Sequence, residues 1–225
     1  MKLDLKLLKN IAEEVRRGVQ PLAGRVEAGR VVGIGAGGDL TKHIDAVAEE
    51  IVLNMLKTYE VPCTVVSEEK GVVEILGGNS NVYLIVDSLD GTTNALRNIP
   101  FYTTSLAVAG IPKLSAIHTS LVADLPSGKI FSAEKGKGAW LDGEALKPSK
   151  TQLVEEAVLT INISTNTSMI EKFGKLISKT RHIRHFGANS LEICYVASGR
   201  LDAHIDFRRK LRVTDVAGAY LILKE

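Results

Sequence analysis

The stretch VYLIVDSLDGTTNA, residues 82–95, decides how the rest of the chain is read. Five apolar residues, Val82 to Val86, predict a buried strand. Asp87 and Asp90 then sit three apart, in a turn at the strand's C-terminal edge, and Gly91, Thr92 and Thr93 follow at once. Gly91 permits a tight backbone, and the N–H groups of Gly91 and Thr92 open toward an anion if an element begins there. Carboxylates at the end of a buried strand are costly unless something positive compensates them. Hard oxygen ligands of this kind suit Mg²⁺, which binds through few carboxylates plus a substrate phosphate. A capped turn with solvated aspartates is the plainer alternative, and the Gly-Thr-Thr-Asn continuation weighs against it.

Three other acidic positions become interesting in that light. Glu68 and Glu69 follow a β-rich run, Cys63-Thr64-Val65-Val66. Asp45 lies on a predicted helix, and Asp215 opens the apolar segment Val213-Thr214-Asp215-Val216-Ala217-Gly218-Ala219. Taken singly, each reads as a solvated loop, a surface helix position or a first-turn acid complementing the helix dipole.

The bulk properties bound the function. The 225 residues suffice for one large domain or two small ones, and 45% are hydrophobic, enough for a sizeable core. With 28 basic and 26 acidic residues the net charge is +2, which gives no case for nucleic acid or an anionic membrane. No apolar run approaches the roughly 18–20 residues that span a bilayer, and the N-terminus lacks the apolar centre of a signal peptide. Cys63 and Cys194 lack metal or redox spacing and are expected to be buried free thiols of a cytoplasmic protein. The five histidines show no metal spacing and read as structural.

Periodicity supplies the elements. Residues 2–28 read as an amphipathic helix that Pro21 can kink, and the glycine-rich residues 33–38 interrupt the pattern. Asp39 is the expected N-cap of a second helix whose apolar face is Ile44, Val47, Ala48, Ile51, Val52 and Met55. Strands are predicted at 63–66, 82–86, 103–110, 114–123 and 128–134. Strand (157–163), helix (167–179), strand (182–186), helix (188–197), strand (201–206) and helix (213–223) then alternate. Strands first and alternation later predict an α+β subdomain, residues 1–147, carrying the acidic site, joined to an α/β subdomain, residues 148–225.

Glu68-Glu69, Asp87-Ser88-Leu89-Asp90-Gly91-Thr92-Thr93-Asn94 and Asp215-Val216-Ala217-Gly218 resemble, in order, the signature blocks of the inositol monophosphatase family of lithium-sensitive, Mg²⁺-dependent phosphatases. Gly38 to Asp45 is similar to that family's loop-plus-helix element, and Ile205 to Asp215 looks most like the archaeal branch acting on inositol monophosphate and fructose 1,6-bisphosphate. The resemblance implies a layered αβαβα sugar-phosphatase fold, with an antiparallel N-terminal sheet and a mixed C-terminal one. It implies that Glu68, Asp87, the Leu89 carbonyl, Asp90 and Asp215 bind two Mg²⁺ ions, with Glu69 at a loosely held third. Asp45 and Thr92 would activate water as the catalytic pair, and Gly91 and Thr92 would hold the phosphate. Gly187, Ala188, Asn189, Asp206 and Arg208 would meet the substrate, a small phosphorylated polyol or sugar, with Lys210 near a second phosphate. A homodimer is implied as well.

Thr214 departs from the family's pattern, where many relatives have Trp. Relatives also continue past the position of Glu225, so the C-terminal subdomain is expected to be incomplete, its last helix buried against an α/β sheet with an unpaired edge. A non-catalytic relative that binds metal or phosphate is therefore one alternative. Gly33-Ile34-Gly35-Ala36-Gly37-Gly38 matches the G-x-G-x-x-G dinucleotide fingerprint, but no βαβ context follows clearly, and a flexible catalytic loop fits better. Asp90-Gly91-Thr92 echoes haloacid-dehalogenase phosphatases, whose Asp-x-Asp spacing is absent here.

Overall fold

The computed structural model describes residues 2–78, 81–162, 167–208 and 210–225. Helix α1 (Leu5–Val19) is capped by Asp4, whose side chain accepts from the Leu7 amide at 3.0 Å, and buries Leu7, Leu8, Ile11, Val15 and Val19. It stops well short of residue 28, because Pro21 has no N–H to continue the ladder.

The glycine-rich stretch is a hairpin. Strand β1 (Val31–Ile34) pairs antiparallel with β2 (Leu40–Lys42), and Gly35 N donates to Asp39 O at 2.9 Å across the turn. The glycines thus lie between antiparallel strands rather than between a strand and a crossover helix, which removes the dinucleotide reading. Pairing through Lys42 also delays helix α2 (His43–Thr58), so its cap is Lys42 and Asp39 belongs to the hairpin turn. The expected apolar face of α2 is present, with Ile44, Ala48 and Val52 buried.

Then come β3 (Cys63–Ser67), β4 (Gly71–Ile75), β5 (Tyr83–Asp90), a short helix α3 (Thr92–Leu96), β6 (Thr103–Ala109), β7 (Ile117–Asp124), β8 (Ile130–Glu134), β9 (Gly138–Leu141) and β10 (Glu144–Ala145). The eight strands β3–β10 form one sheet in the order β10-β9-β8-β7-β6-β5-β3-β4. All its neighbours are antiparallel except β3 and β5, which run parallel. After residue 148 come β11 (Val158–Asn162), α4 (Thr167–Lys179), β12 (His182–Arg184), α5 (Asn189–Ala197), β13 (Ala203–Asp206) and α6 (Val213–Lys224). The C-terminal sheet, expected to be mixed, has among the described residues three strands in the order β12-β11-β13, all parallel. Ile163, predicted to end the first of them, and Arg209 lie outside the described residues.

Alternation along the central strands sorts the core into layers. Leu84, Val86, Leu106, Val108 and Leu121 join the α1–α2 core, whereas Ile85, Ala107, Ala109 and Val122 join the core under α5 and α6. Leu159 and Ile161 of β11 pack with Leu176 and Ile177 of α4. The order is α1–α2, large sheet, α5–α6, small sheet, α4, the layered αβαβα arrangement. Cys63 and Cys194 are buried free thiols, as expected. Among the described residues no helix is long and apolar enough to cross a membrane.

Helix α6 corrects one expectation. It lies on β5, β6 and β7 of the large sheet and against α5, rather than on the C-terminal sheet. Small residues allow this: an added Cβ on Gly218 would lie 2.3 Å from Ser105 Oγ, 3.2 Å from Val122 Cγ2 and 3.3 Å from Leu106 N. Ser105 Oγ can swing aside, but Leu106 N is backbone in a central strand. Gly218→Ala is expected to destabilise by about 1–3 kcal/mol through overpacking. A thermal melt reads this directly, and an unchanged midpoint would show that the helix–sheet seam gives more easily than the geometry suggests.

Candidate active site

The site begins with an irregularity in β5. Asp87 lies opposite Ser105 and Asp90 opposite Thr103, so β5 advances three residues while β6 advances two. In a regular strand, side chains three apart face opposite ways; the extra residue of a bulge re-aims them. Asp87 and Asp90 consequently line one cleft of about 720 Å³. The strand therefore runs on through both aspartates instead of turning after Val86. Thr104 Oγ1 donates to the Ser88 carbonyl at 2.8 Å, satisfying backbone inside the bulge.

Other elements converge on these two carboxylates. Glu68 comes from the β3–β4 turn and Asp215 from the first turn of α6. Carboxylate oxygens of Glu68, Asp87 and Asp215 lie within 4.8 Å of one another. Asp90 stands beside this trio, its Oδ2 accepting from Ser190 N at 2.8 Å and Ser190 Oγ at 2.6 Å. The Leu89 carbonyl accepts from Thr92 Oγ1 at 3.2 Å at the cleft wall. Gly91 caps α3 with φ of 93°, and an added Cβ there would lie 2.9 Å from the Phe101 carbonyl. Only glycine fits, and Gly91, Thr92 and Thr93, where α3 begins with amides that have no intrahelical partner, line the cleft.

Burial and crowding set the charge state. Burial first, then neighbouring carboxylates, pushes Asp87 well above the ordinary aspartate range. Burial raises Glu68 to about 7, against the opposing pull of Arg212, and Asp215 and Asp90 add to the rise. Burial also raises Asp90 to about 6 despite its bonds from Ser190, and it raises Asp215. These groups are held toward neutrality by a deficit of positive charge. An all-oxygen donor set with that deficit fits a hard divalent cation.

Asp45 does not line the cleft but reaches it through Thr92, whose hydroxyl donates to Asp45 Oδ1 at 2.7 Å. Its other oxygen accepts from Lys42 N at 3.0 Å, and burial raises its carboxyl to about 6.

The predicted substrate residues separate. Gly187, Asn189 and Arg208 line the cleft, as does Lys210. Ala188 is buried, its methyl close to where a Gly91 Cβ would be. Asp206 is covered: Arg208 bonds it through Nε at 2.8 Å and Nη2 at 2.5 Å, so its carboxylate is not presented to the cleft. Glu69 is turned toward the hairpin, where Thr41 Oγ1 donates to it.

Two residues were missed from the sequence. Arg212 donates to Glu68, to Asp39 and, at 3.2 Å, to the Gly37 carbonyl, tying the hairpin to the carboxylate cluster. Nothing in sequence spacing signals that contact. Glu49 is buried and accepts from Ser67 Oγ at 2.7 Å, Lys70 N at 3.1 Å and Glu69 N at 3.2 Å, fixing the turn that presents Glu68. Its signal was available: it lies one helical turn after Asp45, beside an apolar stripe.

Comparison with known proteins agrees with this geometry. The profile of the inositol monophosphatase family matches residues 1–225. A fructose-1,6-bisphosphatase/inositol-1-monophosphatase of Methanothermobacter thermautotrophicus is 38% identical over 224 residues, covering 96% of this chain and 79% of that one. A bifunctional NADP phosphatase/NAD kinase of Methanocaldococcus jannaschii is 33% identical over 98% of this chain, which spans 43% of it. The crystal structure of an inositol monophosphatase–fructose 1,6-bisphosphatase superposes with a TM-score of 0.88 at 34% identity, covering 100% of this chain and 84% of that one.

The raised carboxyls make a prediction with a definite sign. Glu68, Asp90 and Asp45 have folded pKa values near 6 to 7, above their ordinary 3.8 to 4.5, so the folded chain binds more protons than the unfolded one between these limits. Their contribution to stability is greatest at the acid end and is lost as pH rises through the folded values. In EDTA the melting temperature should therefore fall by several degrees between about pH 5 and about pH 7.5. Mg²⁺ should raise it far more at the higher pH. A melting temperature that is flat or rising in EDTA, with an equal Mg²⁺ effect at both pH values, would contradict the charge-deficit account.

Proposed function

The chain belongs to the inositol monophosphatase family, and on that premise we propose that it is a Mg²⁺-dependent phosphomonoesterase acting on a small phosphorylated polyol or sugar. Inositol monophosphate and fructose 1,6-bisphosphate are the first candidates, supported by the names of the most similar relatives. The observation that carries the reading is the Glu68–Asp87–Asp215 trio beside the Thr92–Asp45 hydrogen bond.

Glu68, Asp87 and Asp215, with Asp90 and the Leu89 carbonyl, would hold two divalent ions; Glu69, turned to the hairpin, is not among their ligands. Bound there, such ions supply positive charge for the phosphate oxygens and lower the pKa of water. The chain's own groups do the rest. The amides of Gly91 and Thr92 receive phosphate oxygens. Thr92 Oγ1 donates to Asp45 and so turns its lone pairs toward the attacking water. The water proton passes through the hydroxyl to Asp45, whose raised pKa suits it to accept and release a proton near neutrality. Water oxygen bonds to phosphorus, the ester P–O bond breaks, and the alcohol leaves with a proton from solvent. Asn189 and Arg208 face the organic part, with Lys210 available to a second phosphate. Cytoplasmic location, lithium sensitivity and a homodimer belong to the same proposal, the last checked by light scattering.

Phosphate release over a panel of inositol, fructose and NADP phosphates, with and without Mg²⁺, tests the activity. Asp90→Asn serves as the control and should lose most turnover. A wild-type chain that releases no phosphate from any of them, while binding Mg²⁺, would favour a non-catalytic binding protein.

Thr92→Ala and Asp45→Asn should each lower kcat by about 10²–10⁴-fold with little change in KM. The double variant should be little worse than either single one, as for groups acting as a unit. Multiplicative losses in steady-state assays would separate the two residues' roles and sink the paired-base mechanism.

A further inference from the structure

The cleft has a side that carries none of the proposed cation ligands. It is built on the start of α5 and the end of β13, and a buried pair joins these elements. Glu192, in the first turn of α5, and His204, on β13, have side chains only 1% and 7% exposed. Glu192 Oε2 lies 2.8 Å from His204 Nδ1, and the same nitrogen lies 2.8 Å from Thr160 Oγ1 on β11. The other oxygen, Oε1, accepts from Phe186 N at 3.1 Å and Gly187 N at 2.7 Å. Asn94 of α3 holds the same turn from the far side, donating through Nδ2 to the Phe186 carbonyl at 2.6 Å.

His204 and Asp206 are two apart on β13 and share a face. Asp206 accepts from Arg208 N at 2.7 Å as well as from its guanidinium, and Arg208 Nη2 reaches Asn189 Oδ1 at 3.3 Å. Asn189 and Gly187 are themselves tied to Glu192 through the turn and the first turn of α5. Of the three cleft-lining groups on this side, Gly187 is bonded by Glu192 and Asn189 opens the same first turn of α5, while Arg208 is held by Asp206 and by Asn189. A carboxylate this buried needs partners, and the two amides on Oε1 belong to the rim while the imidazole beside Oε2 belongs to its backing.

We infer that Glu192 is a positioning residue for substrate selection, setting the rim that meets the part of the substrate remote from the reacting phosphate. This rests on the phosphatase reading. Glu192 touches neither the proposed cation ligands nor the Thr92–Asp45 pair. Its links to them are indirect, through Ser190 and the Asn189 backbone, which bond Asp90.

Glu192→Gln keeps an acceptor for the two amides and removes the charge that faces His204. It is compared with wild type on the polyol or sugar phosphate that wild type turns over and on p-nitrophenyl phosphate, which has no hydroxyls for the rim. KM for the hydroxylated substrate should rise about tenfold while its kcat, both constants for p-nitrophenyl phosphate and the Mg²⁺ activation constant stay within about twofold. His204→Asn, which weakens the pair from the other side, should give the same split. Equal losses on both substrates, a shifted Mg²⁺ constant showing that α5 has loosened around Asp90, or no change at all would overturn the assignment. If wild type releases no phosphate from any substrate, the phosphatase reading fails separately. Amide exchange then decides: Phe186 and Gly187 should exchange about tenfold faster in Glu192→Gln, with Glu69 and Lys70 unchanged. Unaltered exchange at Phe186 and Gly187 would remove Glu192 from the rim.

Discussion

Mutual repulsion among half-desolvated carboxylates is the constraint around which this molecule is arranged. Glu68, Asp87, Asp90 and Asp215 converge from three separate parts of the chain on one cleft, and burial pushes each toward its neutral form, helped by neighbouring carboxylates. Such a cluster is unfavourable by itself. Arg212 is the one guanidinium bonded directly to it among the described residues, and it engages Glu68. The remaining deficit is what makes a divalent cation the natural complement.

The fold holds this unfavourable cluster by anchoring one oxygen of a carboxylate and leaving the other toward the cleft. Asp90 Oδ2 is held by Ser190 at the start of α5, and Asp215 Oδ2 by the Arg212 amide at 2.9 Å. Asp45 sits behind the cleft with both oxygens engaged, one by Lys42 N and the other by the Thr92 hydroxyl. Glu49 uses both oxygens on the turn 67–70, whereas Glu192 puts Oε1 on the turn 186–187 and sets Oε2 beside His204 Nδ1. The carboxylates behind the cleft are thus spent on turns and side chains, while Asp90 and Asp215 line it.

Much of this was legible in the sequence because it is written locally. The strand before Asp87, the glycine at 91 and the acidic first turns of α2 and α6 each carry their own signal, and their agreement in order points to one site. What was not legible depends on contacts across the fold. The bulge in β5 is a property of its pairing with β6, so residues 82–95 alone read as a strand followed by a turn. Asp39 looks like a helix cap until Leu40–Lys42 pair with β1. The covering of Asp206 by Arg208 and the reach of Arg212 to the hairpin are long-side-chain contacts that no periodicity encodes.

The seat of α6 shows why the misplaced element mattered most. A helix this apolar has to be buried, and its place after β13 suggested the small sheet as its partner. Gly218 instead lets it lie close on β5, β6 and β7, and β5 ends at the cleft. That seat carries Asp215 to Asp87, and the segment leading into it carries Arg208, Lys210 and Arg212 across the cleft mouth. The close seat of Gly218 on the large sheet therefore fixes one carboxylate of the trio. The same segment, entering from β13, brings the cationic side of the cleft to the cluster, so the two halves of the cleft share one structural support.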